Sequence, residues 1–590
     1  MRLRPKVKIL KDFFVFDVET GVDAPFCDIE TRKEYQNAIQ WILEGRPERF
    51  KFGVIYGYNY TKVVYSLQEL IETFLEPRFK NKKVFAHNAI YDLDTTFGCV
   101  FKMLKDVIFN GSRFIMGTNG NCIFCDSMNI FVGQSVKKIG AQLGMNKQEL
   151  GDNLFSPDGI TEKEINYCIR DCQIVWDALI RSFEFAGDIK VTQASLSMTY
   201  FRRHHQEFNI DHNENVKFFW DSYFGGRCEA FKIGETIASV YDVKSMYPDR
   251  MRNETFPNPK YLKEVSIIST NQFINQILPE YEGCIYAEVY HHYNKFGLLP
   301  IRKENKLLFP IGNINGCWNF NEFGFALSTG LIEIKKIHRV IFAEKMLSPF
   351  IGYIDTLYDL KNKAEIDNDL FTRDLVKRYM NSLYGKFCQR IEEESIYLEN
   401  IEKQLFIIQE AQRKGIFKKL LLFNANRLDA FLITGNTQAK NISYSIPSFG
   451  SYITSAARVK IAKKLFACKN NKVVYCDTDS VFVQNDFGME DENYLGGWCK
   501  EPDKIVYQIN GLKNYKYVTE DGLFQKLKGV PSSAIKVDVN DYKYFNLVKS
   551  KEGLRRNMDA GILIKRTKHI TNNYTKRIVL PGGETEPLIL

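Results

Sequence analysis

Apolar and polar positions fall into strand-like runs early in the chain: FFVFDVE from Phe13, KFGVIYGYNY from Lys51 and KVFAHNAIYDL from Lys83 are aromatic and β-branched in the manner of half-buried strands. The pattern then turns helical, most plainly in EKEINYCIRDCQIVWDALIRSF from Glu162. Strands followed by helices predict an α/β unit over residues 1–187. A second region starts near TQASLSMTYFRR, from Thr192. Residues 255–345 are rich in aromatics, Asn and Gly and keep no steady period, as an insertion would, whereas Met346 to Lys386 is helical again. Another irregular segment covers 391–440. After it, VVYCDTDSVFV, Val473 to Val483, reads as one buried strand interrupted by Asp477 and Asp479. Desolvating two carboxylates there costs several kcal/mol, on the order of a broken buried ion pair, unless a cation compensates, and a divalent metal is one answer.

At 590 residues the chain exceeds a single core, and about three to five domains are expected. Hydrophobic residues at 45% and charged residues at 26%, with no apolar span long enough to cross a bilayer, predict a globular protein without a membrane segment. The basic start, MRLRPKVKILKDFFVFD, lacks the apolar core and cleavage site of a signal peptide, so a cytoplasmic protein is expected. Its 13 cysteines are then reduced, and the C-x-x-C of Cys122 and Cys125 lacks the second ligand pair a zinc site needs. The net charge of +9 is modest, but near the end Lys551, Arg555, Arg556, Lys565, Arg566, Lys568, Lys576 and Arg577 outnumber Glu552 and Asp559. That excess predicts a surface that meets phosphates.

The period of two in FFVFDVETG places Asp17 and Glu19 on one face of a strand. The spacing alone is weak, since Asp28 and Glu30 repeat it. Its company strengthens it: Asn88 and Asp92 stand four apart after an apolar run, and Tyr167 and Asp171 stand four apart on one helix face. Asp17, Glu19, Asp92 and Asp171 with a tyrosine suit two divalent ions, one activating water and one stabilising the leaving oxygen of a phosphodiester.

In order and flanking residues these segments resemble the three exonuclease motifs of DNA polymerase proofreading domains, with Tyr167 orienting water or phosphate. Lys147, in KQEL, is similar to the additional lysine motif of the protein-primed branch. Thr20, Asn88, Tyr91 and Ser127 fall where that branch contacts a frayed single strand, with Met128 in place of its usual leucine. SVYDVKSMYPDRM and YCDTDS resemble the A and C motifs of family B DNA polymerases. The resemblance implies that Asp242 and Asp479 bridge two Mg²⁺ ions, with Mn²⁺ able to substitute, that Asp477 supports them, and that Val243 joins as a metal ligand. Val243 and Ser245 would contact the nucleotide, and Tyr247 would exclude a 2′-hydroxyl.

RDLVKRYMNSLYGKF places Arg373, Lys377, Asn381 and Tyr384 on one helix face and resembles the fingers motif that grips the incoming triphosphate. Lys513 and Tyr515 resemble a primer-terminus contact, although Tyr517 also follows a lysine. Thr454 and Arg458, in TSAAR, resemble a template contact. Tyr223, Gly225 and Gly226, in DSYFGGRCEAF, resemble the loop that couples synthesis to proofreading.

Nearly the whole chain, in order, thus resembles a protein-primed family B DNA polymerase of the phi-twenty-nine type found in small tailed phages and linear plasmids. The implied architecture is α/β and α+β multidomain: an RNase H-like 3′–5′ exonuclease domain over 1–187, then a right-hand polymerase with two insertions. Its parts would be palm (188–254 and 441–545), fingers (346–390) and thumb (546–590). The insertions are 255–345, for the terminal protein and duplex, and 391–440, for processivity and strand displacement. Primer-template DNA, dNTPs, a terminal protein that primes, and a single-stranded DNA-binding protein are the implied partners of a monomer in the host cytoplasm. The alternative is a stand-alone 3′–5′ exonuclease whose C-terminal region only binds DNA.

Overall fold

The computed structural model describes residues 10–22, 48–97, 104–110, 113–147, 159–208, 214–389, 409, 413, 417–425, 428–435, 445–468, 472–484, 492–531, 534–538, 540–547, 563–571 and 573–590. The first unit is a seven-stranded mixed sheet in the order β3-β2-β1-β4-β7-β6-β5. Its strands are β1 (Phe13–Val22), β2 (Glu48–Gly57), β3 (Tyr60–Val64), β4 (Lys83–Ala86), β5 (Lys105–Asn110), β6 (Arg113–Thr118) and β7 (Ile123–Asp126). The expected period of two sorts the side chains of β1. Phe16 and Val18 enter a core with Leu70 and Phe74 of helix α1 (Leu67–Leu75) and Ile90 and Leu93 of α2 (Ala89–Phe97). Phe13 and Val15 enter the core on the opposite face. That face is covered by α3 (Val136–Gln142) and the 25-residue α4 (Glu162–Ala186). Thr161 and Glu164 form a capping box that opens α4, and Gly187, at φ 73°, closes it in the left-handed region that glycine tolerates.

Helix α5 (Gln193–His204) leads into a second seven-stranded sheet. Strands β8 (Cys228–Ala230) and β9 (Gly234–Val243) enter it first, and α6 (Met246–Asn253) follows β9 directly. Residues 255–345, expected to be irregular, instead hold a regular four-stranded antiparallel sheet. It is built from β10 (Leu262–Val265), β11 (Glu282–His291), β12 (Gly312–Asn319) and β13 (Ile332–Ala343), in the order β10-β13-β11-β12, and carries helix α7 (Phe320–Ser328). Helices α8 (Ile351–Ile366) and α9 (Leu370–Phe387) pack antiparallel to complete the helical layer. The second expected insertion, 391–440, lies largely outside the described residues. Its described part includes an antiparallel hairpin of β14 (Phe417–Ala425) and β15 (Leu428–Gly435).

Helix α10 (Pro447–Ala467) then precedes β16 (Val473–Asp477), β17 (Ser480–Gln484), β18 (Trp498–Gly511), β19 (Asn514–Thr519) and β20 (Gly522–Leu527). The finished second sheet runs β20-β19-β18-β9-β17-β16-β8. A separate small sheet pairs β21 (Asp541–Leu547) with β22 (Leu563–His569). The boundary expected between 545 and 546 therefore cuts β21, and the last unit begins before residue 541.

One core runs through the two halves of the molecule. Phe183 of α4, Phe201 of α5, Tyr353 of α8, Tyr379 and Phe387 of α9 and Phe449 of α10 belong to the same buried cluster. The Tyr379 hydroxyl donates to the Ser182 carbonyl at 3.2 Å, and the ring of Tyr379 meets Phe185 edge-on at 5.0 Å. No helix among the described residues is long and apolar enough to cross a membrane.

Candidate active sites

The first site opens on the α4 side of β1. Asp17, Glu19, Asn88, Tyr91, Asp92, Lys147, Tyr167 and Asp171 line one cleft of about 250 Å³. Each is placed by its element: Asp17 and Glu19 by β1, Asp92 by the first turn of α2, Tyr167 and Asp171 by successive turns of α4. The β1 register shifts between Glu19 and Thr20, the kind of bulge that re-aims side chains beside a site. Asp92 accepts the Val18 N–H at 3.2 Å, which ties α2 to β1. Lys147 donates to Asp171 at 2.5 Å, and its ammonium lies 4.6 Å from the centre of the Tyr167 ring.

Electrostatically the cleft asks for cations. Burial, with Asp171 adding to it, pushes the Asp17 carboxyl up to about 7. Burial and the neighbouring Asp17 push Glu19 to about 8. Asp92 is raised well above the ordinary carboxylate range by burial and by Asp17. Burial would lower the Lys147 ammonium, but the Asp171 carboxylate overrides this and holds it above its ordinary value. Asp171 is only 6% exposed, and its Oδ1 has no hydrogen-bond partner. An orphaned carboxylate oxygen among crowded acids fits a divalent cation. Asp17, Glu19, Asp92 and Asp171 are the residues that would hold it.

Of the expected single-strand contacts, Thr20 and Tyr91 meet each other through a 3.1 Å hydroxyl pair beside the cleft. Asn88 is exposed, at φ 71°, with its N–H bonded to Asp126. Ser127 does not join them: it is fully buried, and its hydroxyl is bonded to His87 Nδ1 at 2.9 Å. Cys122 and Cys125 are buried thiols of the first sheet, not part of any ligand cluster among the described residues.

The second site lies at the ends of β9, β16 and β17. Residues 473–483 are not one strand but a tight hairpin, with Asp477 closing β16, Thr478 and Asp479 in the turn, and Ser480 opening β17. Ser480 faces Asp242 across the β17–β9 ladder, and the Val243 N–H donates to the Asp479 carbonyl at 2.8 Å. Thus Asp242 and Asp479, distant in sequence, end adjacent strands. Burial, then Asp479 and Glu501, push Asp242 to about 7, opposed by Lys504 and Lys377. Burial also raises Asp479. Glu501, on β18, went unnoticed in the sequence because nothing local marks it; only the pairing of Cys499 with Asp242 brings it near. Asp242, Asp479 and the Val243 backbone fit a cation as the first cleft does.

Ser245, at φ 58°, caps α6, which presents Tyr247 to Tyr384 with ring centres 4.7 Å apart. On α9, Lys377 is exposed, Asn381 donates to the Lys377 carbonyl at 2.8 Å, and Arg373 is held by Asp374 at 3.0 Å. Lys513 pairs with Asp477 at 3.2 Å. Tyr515, expected at a primer terminus, is buried at 8% exposure against Tyr475 and Phe482.

The expected template contacts also fail. Thr454 and Arg458 are each 2% exposed. Arg458 makes a two-pronged bond to Glu322 of α7, both arms 2.7 Å, and donates to the carbonyls of Phe224 and Gly225 at 2.8 and 3.0 Å. It fixes the Tyr223–Gly226 loop from behind instead of reaching outward. Gly226 in turn lies so near Thr478 that a Cβ there would stand 2.6 Å from its Cγ2. At the C-terminal end Arg577 is buried on Glu229, so it adds nothing to a basic surface, and Lys551, Arg555 and Arg556 lie outside the described residues. Lys568 remains exposed.

The sequence matches the family described as DNA polymerase type B, organellar and viral, over residues 143–465. It is 30% identical over 312 residues to the DNA-directed DNA polymerase of Enterobacteria phage PRD1, an alignment covering 51% of this chain and 50% of that one. It is 29% identical over 308 residues to a probable DNA polymerase of Neurospora intermedia, covering 51% of this chain and 29% of that protein. The chain thus spans half or less of the curated relatives it matches. The fold is similar to that of Phi29 DNA polymerase in its orthorhombic crystal form, with TM-score 0.67 and 15% identity over 95% of this chain and 100% of the other. The Phi29 ternary complex with primer-template DNA and incoming nucleotides gives TM-score 0.66 at 16% identity, with the same coverage of 95% and 100%. Since the matched segment takes in more than half of the 590 residues, the chain belongs to the type B DNA polymerases of organelles and viruses.

Proposed function

We propose that this protein is a DNA-templated DNA polymerase with its own 3′–5′ proofreading exonuclease, and that it starts replication of a linear genome from a hydroxyl on a terminal protein. The observation that carries the reading is the presence of two separate carboxylate cradles, Asp17/Glu19/Asp92/Asp171 in the first sheet and Asp242/Asp479 in the second. Residues 1–187 are the exonuclease domain. The second sheet with α10 is the palm, α8 and α9 are the fingers, and the small sheet of β21 and β22 belongs to the thumb. Residues 255–345 meet the terminal protein and duplex, and 391–440 serve processivity and strand displacement.

In synthesis the primer 3′-oxygen attacks the α-phosphorus of a dNTP, and pyrophosphate leaves in line. Mg²⁺, or Mn²⁺ in its place, when bound lowers the pKa of the attacking hydroxyl and offsets charge on the triphosphate. The chain supplies the rest. Lys377, close enough to Asp242 to lower its pKa, grips the triphosphate from α9, with Arg373 one turn away. The Tyr247–Tyr384 pair forms the floor under the sugar and base, where a 2′-hydroxyl would collide with Tyr247. Lys513, held by Asp477, reaches toward the primer terminus. In degradation, Tyr167 orients the attacking water, Lys147 steadies Asp171, and Thr20, Asn88 and Tyr91 guide the frayed strand.

Primer extension with Mg²⁺ and dNTPs tests the polymerase reading, and degradation of single-stranded DNA tests the exonuclease. A wild-type protein that incorporates nothing would leave only the nuclease. Incubation with candidate terminal proteins and one labelled dNTP, followed by denaturing electrophoresis, tests priming, because label joined covalently to protein is its signature. A single-stranded DNA-binding protein should lengthen the products.

A further inference from the structure

One side chain in the first cleft carries chemistry that neither reaction uses. Cys168 follows Tyr167 on α4, is fully buried, and directs its Sγ at Asp17, 3.7 Å from Oδ2. Ligand-capable atoms of Asp17, Glu19 and Cys168 all lie within 4.8 Å of one another. An ion bound tetrahedrally by a thiolate at about 2.3 Å and a carboxylate oxygen at about 2.0–2.2 Å holds those two atoms roughly 3.5–3.7 Å apart. The spacing found is therefore that of two ligands on one small soft cation. A second observation points the same way: the unpartnered Asp171 Oδ1, on a residue 6% exposed, lines the same cleft. It offers one more oxygen to such an ion.

We propose that Asp17, Glu19 and Cys168 form a soft-cation site, for Zn²⁺ or Cd²⁺, that competes with the oxygen-bound ions of the exonuclease. The proposal rests on the exonuclease reading only for its consequence. Binding forms a sulfur–metal bond, releases the Cys168 thiol proton to solvent, and changes no oxidation state. Mg²⁺ prefers oxygen donors in octahedral array, so the thiol does nothing for it, whereas Zn²⁺ and Cd²⁺ gain from sulfur. Among the described residues no thiol joins Asp242 or Asp479 in such a group. Zinc should accordingly stop degradation before it stops synthesis.

The test is titration of the metal-free full chain with Cd²⁺ alone, following the ultraviolet thiolate-to-cadmium charge-transfer band and proton release. The expected result is one equivalent of band in the wild type that is missing in Cys168→Ser and diminished in Asp17→Asn, which keeps the thiol. It should persist in Cys172→Ser and in Asp242→Asn. Competition should show Zn²⁺ binding at least about tenfold weaker in Cys168→Ser, since even outer-shell changes cost 10–100-fold. A band equal in Cys168→Ser and wild type, or abolished only in Cys172→Ser, overturns the site. Mg²⁺-dependent degradation by the wild type reads the exonuclease assignment separately: a Cys168-dependent band supports the metal site whether or not DNA is cut.

Discussion

Gly226→Ala tests how the loop between the two sites supports synthesis. The added Cβ would stand 2.6 Å from Thr478 Cγ2, 2.9 Å from Oγ1 and 3.0 Å from Cβ. Carbon atoms settle at about 3.5–4.0 Å from one another, so one partner must retreat by roughly 1 Å. The loop side is pinned, because Arg458 holds the carbonyls of Phe224 and Gly225 and is itself anchored by Glu322. The yielding side is the Asp477–Asp479 turn, where Thr478 already sits at φ 63°, unfavourable for a β-branched residue. Overpacking of this kind costs about 1–3 kcal/mol of stability. Moving catalytic carboxylates by about 1 Å costs on the order of 100-fold in rate, or about 2.7 kcal/mol of barrier. Single-turnover primer extension should fall by about that factor, while degradation of single-stranded DNA at the distant cleft persists and the protein melts a few degrees lower. Adding Thr478→Ser removes the nearest atom and should return part of the loss. Near-normal synthesis by Gly226→Ala, or a folded double variant with no recovery, would refute the reasoning.

Asp479→Ala should abolish synthesis and leave degradation intact, while Asp17→Ala with Glu19→Ala should do the reverse; the two assays run side by side on each variant would expose a shared site if both activities vanish together. Tyr247→Val should raise ribonucleotide incorporation at least about tenfold, the scale on which a pocket wall discriminates by a single small group, as read by the ratio of rNTP to dNTP kcat/KM; an unchanged ratio removes the steric role of this ring. Acidic groups whose folded pKa is raised bind more protons in the native state than in the unfolded one, so their contribution is fully present below about pH 4 and is lost as pH rises through their folded values. For Asp17 at about 7 and Glu19 at about 8, the metal-free protein should lose stability between about pH 4 and 8. Melting in a chelator across that range should show the decline, and Asp17→Asn with Glu19→Gln should flatten it; an equal slope in the variant removes these two groups as its cause.

What the sequence reveals about this molecule follows from how local each signal is. The period of two in β1 and the four-residue spacing on α4 are local patterns, and they place Asp17, Glu19, Tyr167 and Asp171 without knowledge of the fold. The hairpin at 473–483 was hidden because its turn uses Asp-Thr-Asp, with none of the Gly, Asn-Gly or Pro that normally announces one, inside an apolar β-branched run. The sheet in 255–345 was hidden for another reason. The β11–β13 register shifts at Tyr286/Ala287 and again at Glu288/Val289, and each shift disturbs the alternation that marks a strand. Burial of Arg458 is a matter of partner: only Glu322, far away in sequence, turns a cation that looks made for phosphate into an internal brace. Ser127 and Tyr515 show the same limit, since a motif identifies a residue type and not the direction its side chain takes.

The apolar cluster shared by α4, α5, α8, α9 and α10 bears on how this enzyme could be re-engineered. A cut near residue 187 would strip Phe183 from its packing and part the Tyr379 hydroxyl from Ser182, leaving each fragment with an oily wound and a poor prospect of staying in solution. A version that copies without erasing is therefore better reached by silencing two acids than by amputation.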